Sequence, residues 1–599
     1  MTTYSIRSIA IAFFVLTAYI SFGQVPSCQP GTSLVQIESG NVKTTLLNQG
    51  DMFFDPASKK ASFIWPKNDP FNRSLIYSAS LWFGGTETGT SNFFSAVQTN
   101  RDSVRNFWPG PIDVAHPNGT SNLICSVWNR HFKVDRSHLD AFMSVLQSNT
   151  LPLAAGLIPE PVLLWPGKGN TWLKALATSQ GLNDLNSFDL DLAPFQDVNS
   201  NGIYDPQNGD YPELGNRSSM VWWVINDIGN QKVCFSDPTV MPGIGLEFQV
   251  LASTYPGINQ QLYLDNSIFL DYKIINKGTK ILENSYLGLF LDFDIANGGD
   301  DYLQCHVMKN LAFAFDGDIS PVSSANSYGP NAPALAFKVL DAPGPLAEND
   351  GFDNNRNGIA DEAGEKKIMT GFTYFNIGND PVAGDPKSVT DFTRFLQGKW
   401  KNGSDLVYGG SGLGPAGVTA PFAFPGSSDT IGLAFNGTVQ NPVPKPKWTE
   451  NNSGNSPGDR RGLIRSGPFT FAPGQSVHYA AVSLVGSGGT VQENITHLYN
   501  ISDSLESFLP TLLTSKVERK VPNFVATVFP NPASEIIRIK GGNEISQIRI
   551  SDLQGKVIYH DAAYVSFRDI DVRSFSKGVY LVQVVNRSGS STLKLVVTR

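Results

Sequence analysis

From Tyr286 the chain alternates without a break. Leu287, Leu289, Leu291, Phe293 and Ile295 fall on one side, and Tyr286, Gly288, Phe290, Asp292 and Asp294 on the other. A period of two sustained over this length predicts a half-buried β-strand and excludes a helix. Ile268, Leu270, Tyr272 and Ile274 alternate in the same way just before it. Asn276-Lys277-Gly278 marks a turn between the two, so they read as a strand pair. Ser74 to Gly89, SLIYSASLWFGGTETG, reads as an apolar strand, a Gly84-Gly85 turn and a continuation. Helical spacing is rare. Leu139, Phe142, Met143 and Leu146 recur at that spacing within His131 to Ser148, and a second helix is expected over Thr496 to Ser515.

Composition agrees with this pattern. The 56 Gly and 38 Pro, beside many Asn, Ser and Thr, suit short strands joined by many turns. A length of 599 residues exceeds one domain, and 41% hydrophobic residues supply sizeable cores. The expected fold is mostly β: a multi-domain, β-sandwich-like ectodomain with few helices, followed by a small C-terminal β-sandwich. The expected divisions are 1–23, a signal peptide; 24–190, an N-terminal β-rich region; 191–520, a central β-rich region; and 525–599, a C-terminal domain. Val517 to Pro522 is charged and reads as a linker. Net charge is −8 with no basic run, which gives no support to a nucleic-acid or anionic-membrane partner.

Arg7, the apolar run Ile9 to Phe22 and Ser21-Phe22-Gly23 before Gln24 make a secretory signal peptide. The run is too short for a spanning helix, which needs about 20 residues. No later segment is apolar enough to span, so the mature chain is expected to be exported without a transmembrane segment. Val25-Pro26-Ser27-Cys28 makes a poor lipoprotein box because of its proline. Cys28, Cys125, Cys234 and Cys305 form no C-x-x-C pair, so a zinc or redox site is not expected. Outside the cytoplasm they permit up to two disulfides, in any of three pairings.

Two loops have the spacing of a calcium cage. In DVNSNGIYDPQNGD, Asp197, Asn199 and Asn201 occupy alternate positions, Gly202 takes the turn, Ile203 offers its carbonyl, and Asp205 and Asp210 complete the set. Asn208 stands where a bidentate Glu would close an EF-hand loop, so a dockerin- or thrombospondin-style loop is the expectation. DGFDNNRNGIADEAGE repeats the pattern with Asp353, Asn355, Asn357, the Ile359 carbonyl, Asp361 and Glu362 or Glu365. Alternating oxygens suit a hard cation that takes six to eight of them. The bland reading is a polar turn held by its own hydrogen bonds. Structural calcium of modest affinity, on the order of 10⁻⁴–10⁻³ M, is expected.

Asp292 and Asp294 share a strand face, and Asp300 and Asp301 follow in a loop. Such a cluster serves as an acid/base pair for glycoside hydrolysis, as calcium ligands, or as a solvated face. No H-E-x-x-H, G-x-S-x-G, P-loop or dinucleotide fingerprint occurs. The seven histidines are scattered; His131 and His138 read as surface residues of one helix, and Trp222-Trp223 as core strand residues.

At the C-terminus, VFPNPASEIIRIKG, QIRISDLQGKVIY, DIDVRSFSKGVYLVQVV and STLKLVVTR follow one another. With Pro530-Asn531-Pro532-Ala533, Asp552 to Lys556, Ile570-Asp571-Val572, Gly578-Val579-Tyr580 and Lys594, this resembles the type A C-terminal sorting domain of the type IX secretion system. The resemblance implies passage across the outer membrane by that machinery, then release or attachment to surface lipopolysaccharide. LWFGG, FWPGP, PFQDVNSNGIYDPQNGDYPEL with VWWVIND, and GDRRGLIRSGPFTFAPGQ resemble a group of large secreted proteins that carry the same domain, which brings no activity with it. The chain therefore reads as an exported, calcium-stabilised structural or adhesive binding protein. Its expected partners are the secretion machinery, lipopolysaccharide and extracellular polysaccharide. The alternative is a hydrolase of polysaccharide or peptide using Asp292 and Asp294.

Overall fold

The computed structural model describes residues 27–598, apart from 91, 100–103, 235–236, 258–261, 318–321, 347–364, 367, 415–416, 430–446, 515–525, 553–555, 563–564 and 587–588. The signal-peptide segment, the linker around Val517 to Pro522 and the loop from Asp353 to Glu362 lie outside the described residues. The chain forms two compact units. The larger runs to Phe508, except for the short stretches Asp197–Gly202 and Asn208–Asp210, which group with the second; the rest of the second is Leu509–Arg599.

In the larger unit the strands used below are β1 (Ile76–Glu87), β2 (Ser219–Asn226), β3 (Leu246–Thr254), β4 (Phe269–Asn276), β5 (Leu282–Phe293), β6 (Gly371–Asn376), β7 (Arg460–Phe471) and β8 (Ser476–Gly486). The helices are α1 (Arg136–Ser148), α2 (Thr171–Ser179), α3 (Val389–Leu396) and α4 (Val491–Thr514). An antiparallel sheet runs Leu34–Glu38, Lys43–Leu47, Asp51–Met52, β1, β5, β7, β6, with Phe93–Ala96 beside β1. A second runs Phe132–Asp135, β2, β3, β4, β8, Ala334–Asp341, Leu311–Asp316, Asp301–His306. Strands from before and after residue 190 thus share both sheets.

The sheets face each other across one core. Leu287, Leu289 and Leu291 of β5 pack in it with Leu270, Tyr272 and Ile274 of β4. The Tyr272 hydroxyl reaches Met52 Sδ at 3.6 Å, and Phe337 meets Phe53 and Phe293 at ring distances of 6.1 and 6.4 Å. Each such side chain contributes about 1.5–3 kcal/mol relative to exposure. β4 alternates as expected, with Leu270, Tyr272 and Ile274 buried.

β4 and β5 are not partners. β4 pairs with β3 and β8, and β5 with β1 and β7, so the Asn276-Lys277-Gly278 turn carries the chain from one sheet to the other. β5 is also not half-buried: Ser285 to Phe293 are all buried. An aromatic layer covers its second face. Trp82 stacks on Phe290 at 4.7 Å and meets Phe392 of α3 edge-on at 5.0 Å. Helix α3 is fixed by a capping box, in which Ser388 Oγ accepts from the Asp391 N–H and Asp391 accepts from that of Ser388. Nor is Gly84-Gly85 a turn, because β1 runs through both residues. They are glycines because the surroundings press close: a Cβ on Gly84 would stand 2.7 Å from Leu396 Cδ1, and one on Gly85 2.7 Å from the Glu283 carbonyl oxygen.

β2 is buried along its whole length, with two cores served by alternate residues. Val221, Trp223 and Ile225 face the sandwich; Met220, Trp222 and Val224 face a cluster built by α1, α2 and their loops. Trp222 and Trp223 are therefore core residues, as expected. Helix α1 begins at Arg136, not His131, because Phe132–Asp135 is already a strand on β2. Leu139 and Phe142 are buried at the expected spacing, and α4 falls where the second helix was expected. No helix among the described residues is long and apolar enough to cross a membrane.

The second unit carries one sheet of six strands: Thr527–Phe529, β9 (Ile536–Asp552), Val557–Asp561, Val565–Asp571, β10 (Gly578–Asn586) and β11 (Gly589–Val597). Alternate residues make its core, among them Ile537, Ile539, Ile548, Ile550, Val582, Val584, Leu595 and Val597. The fold is mostly β with few helices, as the alternation predicts.

Candidate functional site

The acidic cluster lies where β5 ends, and it is no solvated face. Asp292 is buried and stands directly across from Arg461 of β7, with Oδ1 2.9 Å from the guanidinium Nε. Arg461 Nη1 also lies 3.2 Å from Asp459 and 3.7 Å from Asp385. Burial pulls the guanidinium down, but the three carboxylates together hold it above the usual arginine value. Asp294, two residues on, is half-buried. Burial, and after it the charge of Asp459, lifts its carboxyl to about 6, against the pull of Arg461.

Asp300 and Asp301 serve the loop beyond. Asp301 is fully buried; its Oδ2 accepts the Ile295 N–H at 2.9 Å, while Oδ1 has no hydrogen-bond partner. Burial raises its carboxyl well above the ordinary range, against the pull of the Ile295 N–H. Asp300 Oδ2 accepts from Asn297 Nδ2 at 2.6 Å. Among the described residues no group of three or more His, Cys, Asp or Glu is placed to hold a metal ion.

Asp292, Asp294, Asp459 and Arg461 line a cleft of about 520 Å³. Phe54, Pro56, Lys59, Tyr77 and Ile377, from other parts of the chain, line it too. Phe54 and Tyr77 lie 5.3 Å apart at 44°. Tyr77 reaches the cleft because the β1–β5 register shifts there: Asp292 is opposite Ser78, and Phe293 opposite Ile76. The extra residue is a bulge, which re-aims a side chain at the end of a ladder. Tyr77 Oη donates to the Lys59 carbonyl at 3.2 Å, tying the ring to the short hairpin Phe54–Asp55/Lys60–Ala61. Phe54, Tyr77, Asp459 and Arg461 are the residues that sequence reasoning missed. The signal for two of them lay in GDRRGLIRSG, where Arg461 falls at an inward position of a strand and so requires a carboxylate partner.

The first acidic loop runs from Asp197 to Asp210. Ser200 and Gly202 take positive φ, 59° and 77°. Asp197 accepts the Asn201 and Gly202 N–H groups at 3.2 and 2.8 Å, and Asn199 Oδ1 accepts that of Asn201 at 3.1 Å. Asp210 is fully buried and accepts the Val198 N–H at 2.8 Å. Ile203 is exposed, and Asp205 precedes a short 3₁₀ turn, Pro206–Asn208. Asp353, Asn355, Asn357, Ile359, Asp361 and Glu362 lie outside the described residues.

His131 is no surface residue. Its ring packs 5.1 Å from Trp223 and bonds Ser33 Oγ through Nδ1 at 3.0 Å, and burial takes its pKa down to about 3. His138 instead accepts the Asp135 N–H at the start of α1. Of the three disulfide pairings the structure holds Cys28–Cys125, while Cys234 and Cys305 are thiols. With its sulfur in that bond, Cys28 has no thiol for a lipid.

In the second unit the Pro530-Asn531-Pro532-Ala533 stretch fastens the first strand segment to the last. Asn531 Nδ2 donates to the Lys594 carbonyl at 2.5 Å, and Oδ1 accepts the Val596 N–H at 2.9 Å. Ala533 exchanges backbone bonds of 2.8 Å with Val596 and Thr598. Ile570 and Val572 are buried in the same core, and Tyr580 Oη donates to the Ser576 carbonyl at 2.7 Å. The family profile of the secretion system C-terminal sorting domain matches residues 527–598.

No curated protein matches the chain. Among solved structures, a polysaccharide lyase aligns with 63% of this chain and 38% of its own length, at 8% identity and a TM-score of 0.18. The chain thus spans well under half of that enzyme, and a likeness of this degree carries no argument. The motif positions, their closure of one small sheet and the profile match agree: residues 527–598 are a type IX secretion system C-terminal sorting domain, and the protein is exported across the outer membrane to the cell surface or the medium.

Proposed function

We propose that the exported chain is a polysaccharide-binding protein of the cell surface or medium, and that its ligand sits in the cleft between Asp294 and Tyr77. One observation carries this reading: carboxylates, a guanidinium and an aromatic pair line one cleft of about 520 Å³. Sugar hydroxyls donate to carboxylates and accept from arginine, while the apolar ring faces lie on aromatics. Calorimetric titration of the mature chain with oligosaccharides tests it. Tyr77→Ala should weaken binding by about tenfold, roughly 1.4 kcal/mol. If no oligosaccharide binds, the reading falls.

A hydrolase is the second reading, and one feature favours it. Asp294 keeps its proton to about pH 6, beside an Asp292 whose Oδ1 lies 2.9 Å from the Arg461 guanidinium. Two neighbouring carboxyl groups in such different surroundings can act as acid and base. Release of reducing ends, lost in Asp294→Asn, is the test.

We also propose structural calcium in both acidic loops. An ion bound only by the folded state adds about 2.7 kcal/mol at a hundredfold excess over Kd. Chelation should lower the melting temperature and calcium restore it. Asp197→Ala with Asp353→Ala should remove most of that response, and an unchanged melting temperature on chelation would refute it.

A further inference from the structure

We infer that the sugar the cleft takes carries a protonated amine, so that the ligand is a polysaccharide of 2-amino sugars; the inference rests on the polysaccharide reading above. The charges around the cleft do not balance. Asp292, Asp294 and Asp459 line it, against Arg461 and Lys59. Arg461 is already engaged by Asp292 and Asp459, and by Asp385 as well. Lys59 is exposed at the rim, where water screens it. Asp294 is left without an ion pair among the described residues.

The shape of the lining points the same way. An ammonium group beside Asp294 would satisfy the one carboxyl that lacks a cation. The same cleft holds the rings of Phe54 and Tyr77, whose negative quadrupoles attract cations and repel anions. A neutral sugar brings hydroxyls but no charge. A uronate sets a fourth carboxylate among three, and like charges taken into a cleft repel. The preference should therefore run amino sugar, then N-acetylated or neutral sugar, then uronate. Because a cation favours the ionised form of Asp294, binding should release a proton where that carboxyl is still protonated, near pH 6.

Calorimetric titration of the mature chain near pH 6 with glucosamine oligosaccharides, their fully N-acetylated counterparts and oligogalacturonate decides the matter. The glucosamine oligomer should bind at least about tenfold more tightly than the acetylated one, and the heat should vary with buffer as a proton is released. Asp294→Asn should erase that preference and the buffer dependence, so that free-amine and acetylated oligomers bind alike. Asp459→Asn, which removes the same excess charge from the rim, gives a second variant should the first not fold. Equal binding of acetylated and free-amine oligomers overturns the amine inference and leaves the polysaccharide reading standing. Binding of none of the three overturns both. A lysine-rich peptide that displaces the glucosamine oligomer at lower concentration overturns the sugar and keeps the amine.

Discussion

At the scale of single residues, two groups with raised pKa values lose stability as pH rises, each in its own window. Asp294 has its carboxyl at about 6 in the fold, against 3.8 for an ordinary aspartate. Between those values the folded chain holds a proton that the unfolded chain has lost, so stability falls as pH rises through this window and stays lower above it. Asp294→Asn should then stabilise the ectodomain at neutral pH by about 1–2 kcal/mol, discounted for partial exposure, and give nothing below pH 3.8. Melting temperatures across that range check it; a gain that is the same at every pH would refute the assignment. His478 follows the same rule at higher pH. Its hydrogen bonds to Asp271 at 2.8 Å and Asp341 at 2.9 Å raise it from 6.5 to about 10. Its contribution is complete below 6.5 and is lost as pH climbs through about 10. Asp271→Asn should flatten that alkaline slope in denaturant titrations and leave the acid side unchanged.

At the scale of elements, alternation was a good guide to where strands lie and a poor one to what they meet. Period two marked β4 and β5, but register and partner depend on contacts between residues far apart in the chain, such as Asp292 with Arg461. The second face of β5 reads as exposed because Gly288 and Asp292 sit on it. It is buried because Gly288 admits α3: a Cβ there would stand 2.5 Å from Leu396 Cδ2 and 2.8 Å from Leu463 Cδ1. Gly288→Ala should cost about 1–3 kcal/mol by overpacking. Leu396→Ala in the same chain should return part of that loss, a coupling that a double-mutant cycle would read directly. Additive losses would mean that the two residues do not press on each other. The acidic half of the cleft was legible for the same reason that its aromatic half was not. Asp292 and Asp294 sit at neighbouring same-face positions of one strand, whereas Phe54 and Tyr77 are brought there by a hairpin and a bulge that leave no periodic trace.

At the scale of the whole molecule, the sorting domain was the most legible part, because its motifs are local and ordered along the last strands. Deleting residues 527–598 should leave the remaining chain in the periplasm; cell fractionation checks this, and normal delivery to the surface would contradict it. The disulfide has a consequence for the order of events on that route. Cys28 and Cys125 are the first two cysteines of the chain, and a chain threaded from its N-terminus delivers them to an oxidising compartment before Cys234 and Cys305. The native bond is therefore the one available earliest, and the two later thiols arrive when no unpaired sulfur is waiting. Cys305 then closes into the core, where burial holds its thiol protonated and unreactive. Oxidative maturation of this protein needs an oxidase and no reshuffling step, so its yield of correctly bonded chain should not depend on a disulfide isomerase.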